Sequence, residues 1–202
     1  MSARDAILAR LTGTATPAAI RDEAAALLIA PERPPVDPAV LEETFLARLT
    51  LPSVAATVDR IATLAELPGA VARYCAEQGL PATLCAPPDP RMAAGDWTGF
   101  RLRDTAAPDE PTALAFARLG VAETGSLVFE TAPDAPMLPN FLALHHLVVV
   151  PQVVPYLEDA VLAGTHPRAH YWVTGVSGTT DIEGTYVRGA HGPRFLHVIR
   201  LA

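Results

Sequence analysis

The chain has 202 residues, half of them hydrophobic, and a formal net charge of −7. All 15 basic residues are arginine, so chemistry that needs a lysine is excluded: no Schiff base, no pyridoxal-phosphate lysine and no P-loop lysine. The acidic balance, with no basic stripe, argues against nucleic acid as a partner.

In chain order, residues 2–30 read as two helices broken near 12–17. Ile7, Leu8 and Leu11 recur at helical spacing in the first, and Pro17 suits the first turn of the second. The proline-rich stretch 31–38 cannot continue a helix and reads as a linker. The expected organisation is therefore an N-terminal helical appendage and linker over residues 1–36 and an α/β domain over 37–202. A third helix is expected over roughly 38–50.

Strand–helix alternation follows. Strands are expected at 54–58, 82–86, 100–102, 113–116, 126–131, 147–150, 171–174 and 195–201, with helices at 64–78 and 153–162. Thr63 and Glu66 have capping-box spacing, and Gly79 is a natural stop. Leu147-Val148-Val149-Val150 is continuously apolar, as in a strand buried on both faces. His145 and His146 precede it, and one is expected to face the core and the other solvent. The pattern specifies an α/β fold with an open, mainly parallel sheet and flanking helices.

Cys75 and Cys85 are the only cysteines, fewer than an iron–sulfur cluster usually needs and not in Cys-x-x-Cys spacing. They read as small buried residues in a reduced, cytoplasmic setting, and no cofactor or metal is expected. His166 and His170 have i, i+4 spacing, but Pro167 works against a shared helical face. No run approaches the ~18 apolar residues of a membrane helix, so no membrane span is expected. Residues 2–11 are charged at close intervals and lack a signal-peptide core.

Two glycine-punctuated stretches carry the most chemistry. Residues 174–184 read Thr-Gly-Val-Ser-Gly-Thr-Thr-Asp-Ile-Glu-Gly, and residues 189–193 read Gly-Ala-His-Gly-Pro. Each sets small, hydroxyl or acidic residues between glycines after an apolar run, as in loops whose backbone approaches something closely. Thr124, Gly125, Ser126, Ser177, Thr179, Thr180, Glu183, Gly189 and Gly192 are candidate ligand-binding residues. Thr180 and Glu183 have capping-box spacing, so a single helical turn could follow Thr180. Such a turn would present N–H groups to an anion, with Glu183 at the site. Asp181 and His191 are candidate proton-transfer groups, although either could be structural. Glu123, beside Thr124, Gly125 and Ser126, could order a turn, act as an acid or base, or serve as a nucleophile. The three segments are expected to meet at the C-terminal edge of the sheet.

These two stretches, together with Val121-Ala122-Glu123-Thr124-Gly125-Ser126-Leu127, resemble the signature segments of the LUD-domain family of lactate utilization proteins. Leu138-Pro139 and the strand after His145-His146 lie between them in the same order, and the resemblance covers roughly residues 40–202. It implies a fold like those of ribose-5-phosphate isomerase, glucosamine-6-phosphate deaminase and the CoA-transferases. It also implies an accessory or regulatory role in bacterial L-lactate oxidation, beside iron–sulfur partner subunits and with a small anionic metabolite as ligand. The alternative is a stand-alone isomerase- or CoA-transferase-like enzyme acting on a small anionic substrate; Glu123-Thr124-Gly125 faintly resembles the Glu-Asn-Gly of CoA-transferases. The family usually carries arginine or lysine after the serine of its Ser-x-Thr-x-Asp-Ile-Glu motif, where this chain has Gly178. Gly-Val-His-Gly-Pro is Gly-Ala-His-Gly-Pro here.

Overall fold

A computed structural model describes residues 2–8, 16–28, 32–161 and 167–202. The chain divides into two compact units, Met1–Pro34 and Pro35–Ala202. The first holds α1 (Ala3–Leu8) and α2 (Pro17–Leu27). Thr16 caps α2, its hydroxyl accepting the Ala19 N–H at 3.2 Å, and Pro17 opens the helix where no N–H is needed. Much of the expected break at 12–17, and His166, lie outside the described residues.

In the second unit, a 3₁₀ turn (Pro38–Val40) runs into α3 (Leu41–Leu49). Asp37 caps that turn through the Ala39 N–H at 2.9 Å. β1 (Ala56–Ile61) follows, then a 3₁₀ turn (Leu64–Glu66) and α4 (Leu67–Gln78), which ends at Gly79. The Glu66 carboxylate reaches back to the Thr63 hydroxyl and the Ala62 N–H. The remaining strands of the central sheet are β2 (Thr83–Cys85), β3 (Arg101–Arg103), β4 (Thr112–Phe116), β7 (His145–Val150) and β12 (Phe195–Leu201). Between β4 and β7 the chain forms β5 (Leu119–Val121), β6 (Ser126–Glu130) and the short helix α5 (Pro139–Leu142). Between β7 and β12 it forms β8 (Val153–Val154), β9 (His170–Val173), β10 (Gly178–Thr180) and β11 (Tyr186–Arg188).

The central sheet has the order β1-β12-β7-β4-β2-β3, and every neighbouring pair is parallel. A smaller mixed sheet, β8-β5-β6-β9, and the two-stranded β10-β11 complete the unit. The alternation of side chains across a strand assigns the two faces of the central sheet. Leu147, Val149 and Ile199 pack with Leu67, Val71 and Tyr74 of α4. Val148, Val150 and Val198 pack with Phe45 and Leu49 of α3 and with Leu127 and Phe129 of β6. Both faces are therefore covered, and His145 and His146 are both buried within β7, one toward each face. The expectation that one of them meets solvent is corrected: no face of this strand is left open.

Two other expectations change. Residues 153–162 do not begin as a helix; Pro155 is incompatible with a helix interior, and the β-branched pair Val153-Val154 instead pairs in parallel with β5. A 3₁₀ turn, Leu157–Asp159, follows. β1 starts at Ala56 rather than Val54, because the N–H groups of Val54 and Ala55 both turn back to the Leu51 carbonyl after α3.

Val36 packs against the core beneath α3, and its N–H donates to the Tyr156 hydroxyl at 3.3 Å. We propose that the folding boundary falls before Pro35. A chain beginning at Pro35 is expected to unfold in one cooperative transition under urea. One beginning at Pro38 should be less stable by about 1–2 kcal/mol, having lost the Val36 burial and its hydrogen bond. A molten product from the longer truncation product, 35–202, would refute the boundary.

Candidate functional site

The second histidine of the His145-His146 pair is the anchor of the site. His146 is fully buried on the mixed-sheet side of β7. Its Nε2 lies 3.2 Å from Asn140 Oδ1, and Asn140 Nδ2 donates to the Tyr171 hydroxyl at 2.7 Å. With the amide nitrogen placed toward Tyr171, the amide oxygen faces His146 and accepts from Nε2–H. Nδ1 is then an acceptor, and it is buried with no partner among the described residues. Burial pushes the pKa of His146 down to about 3, so the ring is neutral. Phe129 stacks between His146 and Tyr171, at 6.0 and 5.3 Å, and holds both rings in place.

His146 lines a cavity of about 210 Å³ together with Asn140, Trp172, Ser177, His191 and Gly192. The glycine-rich stretches supply its outer wall by zipping to each other. The Ser177 N–H donates to the Pro193 carbonyl at 2.8 Å, and the Gly189 N–H donates to the Ser177 carbonyl at 2.8 Å. Gly192 lies against the Ser177 side chain. The turn out of β9 depends on Gly175, which has φ +91°. A Cβ there would sit 2.7 Å from the Val54 backbone, so only glycine lets Val176 reach Val54 and donate to its carbonyl at 3.1 Å.

The other sequence-derived candidates are distributed as follows. Asp181 and Glu183 lie in the exposed turn between β10 and β11, where Asp181 Oδ1 accepts the Thr185 N–H at 2.8 Å. The helical turn after Thr180 is not formed. Thr179 and Thr180 instead pair with Val187 and Tyr186 as antiparallel strand residues, and neither lines the cavity. Tyr186 lies over Gly178, where a Cβ would collide with its hydroxyl and ring, so a basic side chain at 178 would require Tyr186 to move.

Thr124 and Ser126 line a neighbouring recess with Thr174 and Leu157, and Trp172 borders both spaces. Ser126 is bridged to Thr124 at 2.7 Å and to Thr174 at 2.6 Å, which ties the β5–β6 turn to the end of β9. Gly125 packs against the backbone of α3. Glu123 Oε2 accepts the Leu157 N–H at 3.2 Å and fastens the same turn to the segment after β8.

The cavity stands at the N-terminal edge of the parallel sheet, not the C-terminal edge. Residues 189–193 lead into β12, and His146 is the second residue of β7. Sequence reasoning did not select His146, Asn140 or Tyr171. The available signal was a histidine pair entering a doubly buried strand, where each ring needs a polar partner.

Both thiols are buried, and burial raises both pKa values, that of Cys85 to about 11. Among the described residues, no group of three or more His, Cys, Asp or Glu side chains is placed to hold a metal ion. Nor is any described helix long and apolar enough to cross a membrane.

The LUD domain family model matches residues 107–201, a span that contains every residue named for the cavity. Lactate utilization protein C of Deinococcus radiodurans is 31% identical over 152 residues, covering 67% of this chain and 68% of that protein. Lactate utilization protein C of Geobacillus kaustophilus is 28% identical over 162 residues, covering 65% of this chain and 67% of that protein. A crystal structure of a DUF162 family protein from Deinococcus radiodurans has the same fold, with a TM-score of 0.57 at 19% identity over 83% of this chain and 100% of that one.

The neutral, buried state of His146 has a consequence for pH. The unfolded chain takes up a proton on this residue near the ordinary histidine pKa, whereas the folded chain does so only near 3. Its contribution is therefore full above the unfolded pKa and falls as pH drops. Between pH 6.5 and 5 the native protein should lose about 2 kcal/mol more stability than a His146→Leu variant, measured by urea unfolding. Parallel pH profiles for the two proteins would contradict this.

Proposed function

The chain belongs to the LUD-domain family, and from that membership we propose that it serves lactate utilization. In this reading it is an accessory or regulatory subunit of an iron–sulfur L-lactate oxidation system and binds a small anionic metabolite. With only two cysteines, both buried, the iron–sulfur chemistry falls to partner subunits.

The observation that carries the ligand reading is the cavity walled by Ser177, His191 and Gly192, with the buried, neutral His146 ring at its back. A 2-hydroxy carboxylate matches those groups. Its carboxylate accepts from the Ser177 hydroxyl and a His191 ring N–H, and its hydroxyl faces the His146 side of the cavity. Asn140 acts as a positioning residue, holding the proton on Nε2 so that Nδ1 stays an acceptor. Among the described residues the cavity wall contains no arginine, so recognition rests on neutral donors and modest affinity is expected.

At tenfold excess over its dissociation constant, L-lactate should raise the melting temperature by about 3 °C. Ser177→Ala and His191→Ala should each remove the shift while leaving the unliganded melting temperature close to the parent's. No stabilisation by L-lactate beyond that of matched sodium chloride, or full stabilisation of both variants, would overturn the ligand assignment. Failure to co-purify with a cysteine-rich iron–sulfur protein from cells oxidising lactate would overturn the subunit role.

A further inference from the structure

The ribbon β10–β11 pairs with neither of the larger sheets, so both of its outer edges are open among the described residues. Its strands are three residues each and are joined by the turn 181–185. Every residue from 180 to 188 is exposed, and Ile182, at the tip, is exposed completely. A lone hairpin of this size has no core of its own and is marginal in water. Ile182, Tyr186 and Val187 therefore give the arm an apolar surface that the described residues leave uncovered.

Charge is divided along this arm. The tip carries Asp181 and Glu183. The root carries Arg188, opposite Gly178, and Arg194, whose side chain lies against Gly189. None of these four enters an ion pair among the described residues. Beside Arg194 the root also exposes Phe195 and Leu144, held together because the Arg194 and Phe195 N–H groups both donate to the Leu144 carbonyl, at 3.0 and 3.1 Å. One end of the arm is thus acidic and apolar, and the other is basic and apolar. Two such arms laid antiparallel about a two-fold axis bring each acidic tip to the other's basic root. The lengths match because the arms are identical, and the open ribbon edges run antiparallel to each other in the same arrangement. Laid parallel, the arms would set acid against acid and arginine against arginine.

We propose that the arm is a self-association surface and that its occupant is the arm of a second copy of this chain. Ile182 of each copy packs on Leu144 and Phe195 of the other, and Glu183 of each meets Arg194 of the other. A protein of different sequence would need the matching charge pattern independently, whereas a second copy supplies it by symmetry. The surface is small and its charges are exposed, so the dimer is weak and salt-sensitive. This inference goes beyond the lactate reading and does not depend on it.

The test is sedimentation velocity of the full chain from about 5 to about 200 µM, at about 0.02 M and about 0.5 M sodium chloride. A monomer–dimer equilibrium is expected at low salt, weakened about tenfold or more at high salt. Ile182→Ser, Glu183→Arg and Arg194→Glu should each weaken the low-salt dimer by about tenfold or more, with the melting temperature of the dilute monomer unchanged. An equal mixture of Glu183→Arg and Arg194→Glu chains should dimerise again. In the mixed pair the native root of the first meets the native tip of the second, and the reversed charges attract at the other contact. A monomer at every concentration, a dimer that none of the three variants weakens, or a mixture of the two charge variants that stays monomeric would overturn the proposal. None of the substituted residues lines the cavity proposed for lactate, so the two readings fail separately.

Discussion

The structure depends on one constraint: the parallel sheet is buried on both faces. α4 covers one side, and α3 with the mixed sheet covers the other. A strand in that position has no water to satisfy its polar side chains, so each must find a partner within the protein or remain neutral. β7 begins with two histidines and continues with four apolar residues, so it meets this constraint at its first two positions. Burial depresses the pKa of His145, His146 and His197 alike.

Each histidine answers differently. His145 is paired with Tyr74, whose own pKa is pushed up to about 12, mainly by burial, so the phenol keeps its proton. His146 and His197 are each fixed by one hydrogen bond, and the other ring nitrogen of each is buried with no partner among the described residues. The His146 ring lies in the wall of the cavity and the His197 ring in that of a recess beside α4. The rest of each ring's surroundings (Asn140 and Phe129 for one, Thr57 and Tyr74 for the other) serves orientation.

The strongly periodic elements were legible in the sequence. β12 spans the expected residues 195–201, α4 ends at Gly79 as expected, and the run 147–150 lies in a doubly buried strand. The mixed sheet was less legible. β5 and β8 are two or three residues long and exist through pairing with each other, which no local pattern records. The hairpin β10–β11 was hidden because its strands are short and its turn residues also satisfy a helix-cap spacing. Of the candidate site, Ser177, His191 and Gly192 could be read from glycine placement. His146, Asn140 and Tyr171 could not, because α5, β7 and β9 bring them together only once the layers pack.

The most direct test is ring nitrogen NMR of His146 in uniformly labelled protein from pH 8 down to 5. The account requires a single neutral tautomer throughout this range, protonated at Nε2, with Nδ1 showing the signature of an unprotonated acceptor. Addition of L-lactate should move the Nδ1 resonance and leave the tautomer unchanged. A proton on Nδ1 in the free protein, or titration of the ring near the ordinary histidine pKa, would contradict it.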